Sequence, residues 1–163
     1  MGELAAFIIL SALTLIPAVV VVTSGNVVRA AMSLIPSFLG VTGLFVLLGA
    51  EFVAGIQILI YAGAIAVLIL FVIMLTEGGT GLGVRQLNEQ RLPGAVVAGA
   101  LTVGFVVLLL RTAWPLTGGE LPASNVTAIG TAFLTDFILA FEISSLVLLV
   151  SLVGALVIAR KET

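Results

Sequence analysis

Residues 52–76 read FVAGIQILIYAGAIAVLILFVIMLT, and this stretch decides the fold because it contains no charged side chain. An α-helix needs about 20 mostly apolar residues to cross the hydrocarbon core of a bilayer. A transmembrane strand would instead show short segments that alternate apolar and polar residues, and no such alternation is present. The stretch is therefore predicted to be a transmembrane helix, which satisfies every backbone hydrogen bond within the segment.

Four further stretches of the chain have the same apolar character. Hydrophobic residues make up 61% of the 163 residues and charged residues only 9%, against roughly 25% charged in ordinary soluble domains. The sequence therefore predicts an all-α integral membrane protein with about five transmembrane helices, forming a single transmembrane domain over residues 1–163. The predicted spans cover approximately residues 4–22, 27–49, 52–76, 93–110 and 134–159.

Several kinds of site are excluded by composition. The chain has no cysteine, which rules out disulfides, thiolate metal sites and cysteine-ligated iron–sulfur clusters. It has no histidine, the commonest ligand for haem and metals. The net charge of −2 offers no basic face for nucleic acid. We therefore expect no cofactor or metal bound by this chain and no nucleic-acid partner.

The six basic residues predict the orientation of the chain. With five spans the termini lie on opposite sides, and Arg111 is then the only basic residue on the side of the N-terminus. Because basic residues accumulate in cytoplasmic segments, we expect the N-terminus outside and the C-terminus in the cytoplasm. The basic residues on the C-terminal side are Arg29, Arg85, Arg91, Arg160 and Lys161.

Three polar side chains inside the spans are candidate functional groups, because polar groups are costly in hydrocarbon. They are Glu142 in the fifth span and Gln57 and Tyr61, which share one face of the third. With spans starting at 134 and 52, Glu142 and Gln57 would lie at similar depth, roughly 10 Å in, and one polar layer could contain both. Two alternatives stay open: Glu142 reaches the outer interface, and Gln57 and Tyr61 only join helices by hydrogen bonds.

Two segments resemble a known family. Residues 51–75, EFVAGIQILIYAGAIAVLILFVIML, are similar to the signature of subunit J (chain 6) of proton-pumping NADH:quinone oxidoreductase, respiratory complex I. Residues 139–149, LAFEISSLVLL, look like the glutamate-bearing fifth helix of that family. The length, the five spans and the external N-terminus also agree with it.

The resemblance implies a membrane-arm subunit in a hetero-oligomer, in a bacterial inner membrane, that helps couple quinone reduction to proton translocation. It places the flavin, iron–sulfur, NADH and quinone sites on partner subunits. Some members of the family carry a glutamate where this chain has Gln57.

The resemblance also implies a π-bulge in the third helix that switches between resting and active states. Its candidate residues here are Tyr61, Gly63, Ala64 and Val67. The local sequence supports a departure from α geometry near residues 61–67, because Gly63 weakens helical preference by roughly 1 kcal/mol relative to alanine.

Other functions remain open at this point. A related oxidoreductase fed by ferredoxin would contain an equivalent subunit, and the chain carries nothing that identifies the electron donor or the quinone. A self-contained transporter is a different class, although no inverted repeat is visible. A purely structural scaffold within the complex is a third possibility.

Overall fold

The computed structural model describes residues 2–76, 90–113 and 125–160. Five of its helices are long and apolar enough to cross a membrane, which confirms the predicted all-α class with five spans. Over this part of the chain there are helices and no strands. The spans are Gly2–Thr23 (α1), Val27–Leu47 (α2), Glu51–Leu75, Leu92–Arg111 and Ile138–Ala159 (α7).

The third span is one continuous helix made of three segments. It begins as α-helix over Glu51–Ile56 (α3), continues as a π-helix over Gln57–Ile65, and returns to α-helix over Ala66–Leu75 (α4). The fourth span belongs to the helix Arg91–Arg111 (α5). A short helix, Asn125–Leu134 (α6), precedes α7.

Local signals set the ends of α2. The side chain of Asn26 accepts a hydrogen bond from the backbone N–H of Arg29 at 3.0 Å, which caps the helix start. At the other end the backbone N–H of Ala50 donates to Phe45 and that of Gly49 donates to Val46. Gly49 has φ 70°, a conformation that glycine adopts without a Cβ clash. This is a Schellman ending, and it turns the chain directly into α3.

Small residues hold α1 against α2. A Cβ atom added at Gly40 would meet the side-chain oxygen of Thr14 and stand 2.7 Å from its backbone nitrogen. One added at Gly43 would meet the side chain of Leu10. Ser37 donates from Oγ to the carbonyl oxygen of Thr14 at 3.0 Å, joining the two helices. The glycines thus let the backbones of α1 and α2 come so close that van der Waals contacts and a direct hydrogen bond hold the two helices together.

The third span packs on α2, again through small side chains. The buried apolar residues of the described part are Ala31, Ala54 and Ala66, and no large side chain there is fully buried. Large side chains point outward, as expected when lipid rather than water surrounds the helices. Helices α1, α2 and the third span therefore form one packed unit, called here the three-helix unit.

The last two spans lie apart from this unit. Helix α5 contacts no other described helix, and α7 contacts only α6. The link to the three-helix unit runs through α6, which packs on α3 and donates a hydrogen bond from Asn125 Nδ2 to the carbonyl oxygen of Gly49 at 3.4 Å.

The fifth span differs from its predicted bounds, because the helix begins at Ile138 rather than at 134. Residues 135–137 form a turn. Thr135 donates its hydroxyl to the carbonyl oxygen of Thr131 at 2.9 Å, and the backbone N–H of Phe137 reaches Ala132 instead of continuing the α pattern. Threonines inside unbroken helices make the same hydroxyl bond, so the backbone bond of Phe137 is what marks the break. The pair Thr135-Asp136 was the available signal, and the flanking apolar residues hid it.

Candidate functional site

The π-helix Gln57–Ile65 is the principal irregularity in the described spans. The departure from α geometry expected near residues 61–67 is present, although it begins one turn earlier. Tyr61, Gly63 and Ala64 lie inside the π-helix, whereas Val67 lies in α4, just beyond it. At its end the backbone N–H of Ala66 donates to the carbonyl oxygen of Tyr61, five residues back. Such wide turns inside α-helices are rare and frequently mark functional sites.

Gly63 suits the wide turn for a steric reason. A Cβ atom added there would stand 3.2 Å from the carbonyl oxygen of Ile58, tighter than an ordinary contact. By contrast, Gly55 in the α-helical part of the same span has open space around it. A side chain at 63 would therefore stand close to the backbone of the π turn itself.

Tyr61 faces α2 and packs on an aromatic side chain. Its ring meets the ring of Phe38 edge to face, with centroids 5.6 Å apart and planes at 72°. That geometry is favourable because the positive edge of one ring meets the negative face of the other. Tyr61 remains 44% exposed, and no described residue hydrogen-bonds to its hydroxyl. The tyrosine is thus held by its ring while its hydroxyl stays available.

Gln57 and Thr42 lie at the same level of the α2–α3 hairpin. The rings of Phe38 and Tyr61 are in contact. Thr42 lies one helical turn nearer than Phe38 to the loop that joins α2 to α3, and Gln57 lies one helical turn nearer than Tyr61 to the same loop. Gln57 is 8% exposed and Thr42 5%. Thr42 donates its hydroxyl to the carbonyl oxygen of Phe38 at 3.0 Å, whereas the carboxamide of Gln57 makes no hydrogen bond within the described residues. Neither amide atom of Gln57 is among the fully buried side-chain atoms without a partner, so the amide keeps some access, and this position is suited to a water molecule or a group from another chain.

Glu142 lies elsewhere. It is exposed on α7, one helical turn after the helix start at Ile138 rather than the two turns predicted from 134. Since α7 contacts α6 and not the π-helix, the structure does not bring Glu142 and Gln57 together in one polar layer. The expectation failed because equal depth along two helices does not make those helices neighbours.

Three residues next to the candidates were missed from sequence. Phe38 and Thr42 lie four residues apart on α2, and that spacing was the signal available for a face turned toward the third span. Asn125 fastens α6 to the turn at Gly49, and its Oδ1 atom is buried without a partner. An asparagine before an apolar run is a helix-start signal, which marks α6 in the sequence.

No group of three or more histidine, cysteine, aspartate or glutamate side chains able to hold a metal ion occurs among residues 2–76, 90–113 and 125–160. The buried polar side chains of the three-helix unit, Ser37, Thr42 and Gln57, provide two hydroxyls and an amide. These groups can exchange hydrogen bonds with water and position it.

Comparison with known proteins identifies the family. A family model described as NADH-ubiquinone/plastoquinone oxidoreductase chain 6 matches residues 17–158. The F(420)H(2) dehydrogenase subunit J of Methanosarcina mazei is 43% identical, over 98% of this chain and 92% of its own length. The NAD(P)H-quinone oxidoreductase chain 6 of Leptolyngbya boryana is 38% identical, over 98% and 81%. The corresponding chain 6 of Synechocystis is 34% identical, over 96% and 80%.

These matches cover nearly the whole chain, including both segments that carry the resemblance seen in the sequence. The five apolar helices agree with a multi-pass membrane subunit of a quinone oxidoreductase complex. The chain belongs to the NADH-ubiquinone/plastoquinone oxidoreductase chain 6 family.

Proposed function

We propose that this chain is a membrane-arm subunit of a complex I-type oxidoreductase that helps couple quinone reduction to proton translocation. It performs no redox chemistry itself, and NADH, flavin, iron–sulfur clusters and quinone are bound by partner subunits. Family membership supports this proposal. So does the composition, since the chain has no cysteine or histidine with which to ligate a redox centre.

The π-helix is the observation that carries the coupling role. Conversion of a π turn to α geometry removes one residue from the turn, so all side chains beyond it rotate by about 100°. Val67 and Phe71 lie beyond the π-helix and would turn relative to Tyr61, opening or closing a path for water. A change of quinone state at a neighbouring subunit could be transmitted along the third span in this way.

Gln57, Tyr61 and Glu142 are our candidates for the proton path or its coupling. Gln57 begins the π-helix and Tyr61 lies within it, packed on Phe38 of α2, so they can order water beside the segment that would rotate. A proton needs a chain of titratable groups and water to cross about 30 Å of hydrocarbon. The two titratable side chains Tyr61 and Glu142 are too few for that, and we propose that neighbouring subunits supply the others.

The test compares two glycine variants in the assembled complex. Gly63→Leu places a branched side chain where even a Cβ atom crowds the carbonyl oxygen of Ile58, whereas Gly55→Leu adds the same side chain to open space in the same span. We expect Gly63→Leu to lower quinone-linked turnover and proton-gradient formation about tenfold while the complex still assembles, since it hinders interconversion of the two helical geometries. Gly55→Leu should retain both activities.

Unimpaired turnover and gradient formation in an assembled Gly63→Leu complex would leave the π-helix as packing geometry without a gating role. Normal pumping by a Glu142→Ala variant would likewise favour a scaffold role for α7.

We further propose that the protein forms a single transmembrane domain in a bacterial inner membrane, with its C-terminus in the cytoplasm. The basis is the distribution of basic residues, of which Arg29, Arg91 and Arg160 fall within the described residues and Arg85 and Lys161 fall outside them. A cysteine added after Thr163 should react with a membrane-impermeant maleimide only in inverted vesicles. Labelling from the outside of intact cells would contradict this orientation.

The electron donor is a separate question, and the names of the relatives make F(420)H(2) a second candidate beside NADH. Relatives of similar identity are named for F(420)H(2) and for NAD(P)H. We propose that the donor is selected by input subunits that this chain does not contact. Purification of the intact complex, followed by assay with NADH, reduced F(420) and ferredoxin, would identify it. Purification would also exclude a self-contained transporter if the chain emerges with many partner subunits and not as a homo-oligomer.

A further inference from the structure

Helix α7 has no described neighbour along most of its length. Every residue from Ile138 to Ala159 is exposed. At 1.5 Å per residue its 22 residues extend about 33 Å, close to the thickness of the hydrocarbon core. The whole helix is therefore needed to cross the bilayer, and Glu142 lies roughly 6 Å inside its outer end.

The carboxylate of Glu142 has no partner among the residues that the structure describes. No ion pair or hydrogen bond joins it to a described residue, and the hydroxyl of Ser145 donates to the backbone oxygen of Glu142 at 2.7 Å rather than to its side chain. A glutamate side chain is short and reaches the interface poorly compared with lysine or arginine. Its neighbours Phe141 and Ile143 are apolar, so nothing adjacent in the sequence shields the charge from lipid.

Helix α6 covers a different side of α7. The ring of Phe133 on α6 stacks on that of Phe141 with centroids 5.9 Å apart. Phe141 and Glu142 point about 100° apart around the helix axis. The face with Ile138, Glu142 and Ser145 thus stays uncovered. It continues along the helix to Leu149, because these positions recur at intervals of three and four residues.

We propose that this face of α7 (residues Ile138, Glu142, Ser145 and Leu149) docks on a transmembrane helix of a neighbouring subunit, which presents a lysine or arginine to Glu142. This inference rests on the proposed function, because it requires a hetero-oligomeric complex. It goes further by specifying that the partner helix carries a basic residue. Charge complementarity selects the partner, since an intramembrane carboxylate is stabilised by a cation that is itself shielded from lipid. A serine one turn away permits close approach of the partner helix and can accept a hydrogen bond from it.

The first experiment is site-specific photo-crosslinking in the native complex. A photoreactive amino acid in place of Leu149 lies on the proposed face, two turns from Glu142. After irradiation of membranes we expect a crosslink to one transmembrane subunit, identified by mass spectrometry of the purified complex. Crosslinks to lipid alone would overturn the proposal, and so would crosslinks confined to this chain.

The second experiment tests the charge. Glu142→Lys in the native complex should lower the amount of this chain retained after detergent purification about tenfold. A compensating Lys→Glu or Arg→Glu change in the crosslinked partner should restore it. Glu51→Gln is the matched control, because Glu51 is an exposed carboxylate in the first turn of α3, where we expect water to solvate it, and it should retain normal amounts.

The outcomes separate the two levels of the proposal. If the wild-type chain does not co-purify with oxidoreductase subunits, the proposed function fails. If it co-purifies but Glu142→Lys is retained as well as wild type, only the docking inference fails. Loss of Glu142→Lys with rescue by the reversed partner charge would support both.

Discussion

The spans of the three-helix unit and the helices α5 and α7 are all strongly apolar, yet among the described helices only those of the three-helix unit pack closely on one another. In the three-helix unit, Gly40 and Gly43 bring α1 and α2 into contact, and Ala54 and Ala66 do the same for the third span. Helices α5 and α7 also contain glycines, such as Gly99, Gly104 and Gly154, but a Cβ atom added there would meet open space. Small residues permit close packing of transmembrane helices and do not by themselves specify a partner.

The difference indicates which helices stabilise the fold of the chain itself and which are left to contact other subunits of the complex. Within the three-helix unit, Ser37 and Thr42 satisfy their hydroxyl groups internally, whereas Gln57 and Tyr61 have no hydrogen-bond partner among the described residues. The described side chains of α5 and α7, including Glu142, are exposed. We therefore expect substitutions in the first region to change the stability of the isolated chain and substitutions in the second to change assembly.

The largest expected effect is that of Gly40→Leu. Its Cβ atom would crowd backbone atoms of Leu13 and Thr14, which cannot move aside as a flexible side chain could. Overpacking of this kind should destabilise the isolated chain in detergent by about 3 kcal/mol, measured by denaturant titration in mixed micelles. Gly104→Leu on α5 adds the same side chain to open space and should leave the stability unchanged. Equal destabilisation by both variants would contradict the proposed division.

An intermediate effect is expected where Tyr61 packs on Phe38. A double-mutant cycle with Phe38→Leu and Tyr61→Leu should give a coupling energy of about 1 kcal/mol, because the edge-to-face contact is lost in either single variant. The corresponding change Phe133→Leu should release α6 from α7 without affecting unfolding of the three-helix unit. A coupling energy near zero between Phe38 and Tyr61 would show that the contact contributes only apolar area.

The smallest effect is expected for two serines. Ser37→Ala removes the interhelical hydrogen bond to Thr14, and such bonds contribute on average about 0.6 kcal/mol in membrane proteins. Ser151→Ala removes only a bond to Val147 within the same helix and should have no measurable effect on the isolated chain. Global unfolding in mixed micelles checks both variants, and destabilisation by Ser151→Ala would indicate packing of α7 within the chain.

Much of the fold followed from sequence because a span is a local property. Residues 52–76 predict a helix whatever surrounds them, and the motif around Tyr61 predicted both the family and a departure from α geometry. The break at Thr135-Asp136 was missed because two turn-forming residues were outweighed by apolar neighbours. The neighbours of each candidate were unpredictable for a different reason. Depth along a helix follows from sequence position, but which helices touch depends on the shapes of all their faces.

The sequence by itself determined that this protein is a five-span helical membrane protein of the chain 6 family, with Gln57, Tyr61 and Glu142 as its conspicuous intramembrane polar groups. Hydrophobic length and a long motif sufficed, since both are read along one dimension. Only the tertiary structure decided that Gln57 and Thr42 are buried, that Tyr61 rests on Phe38 and that Glu142 is exposed on α7. Those outcomes depend on how closely the surfaces of two helices fit together. Gly40 lies against the backbone of α1, whereas Gly104 has no described neighbouring helix within 4 Å.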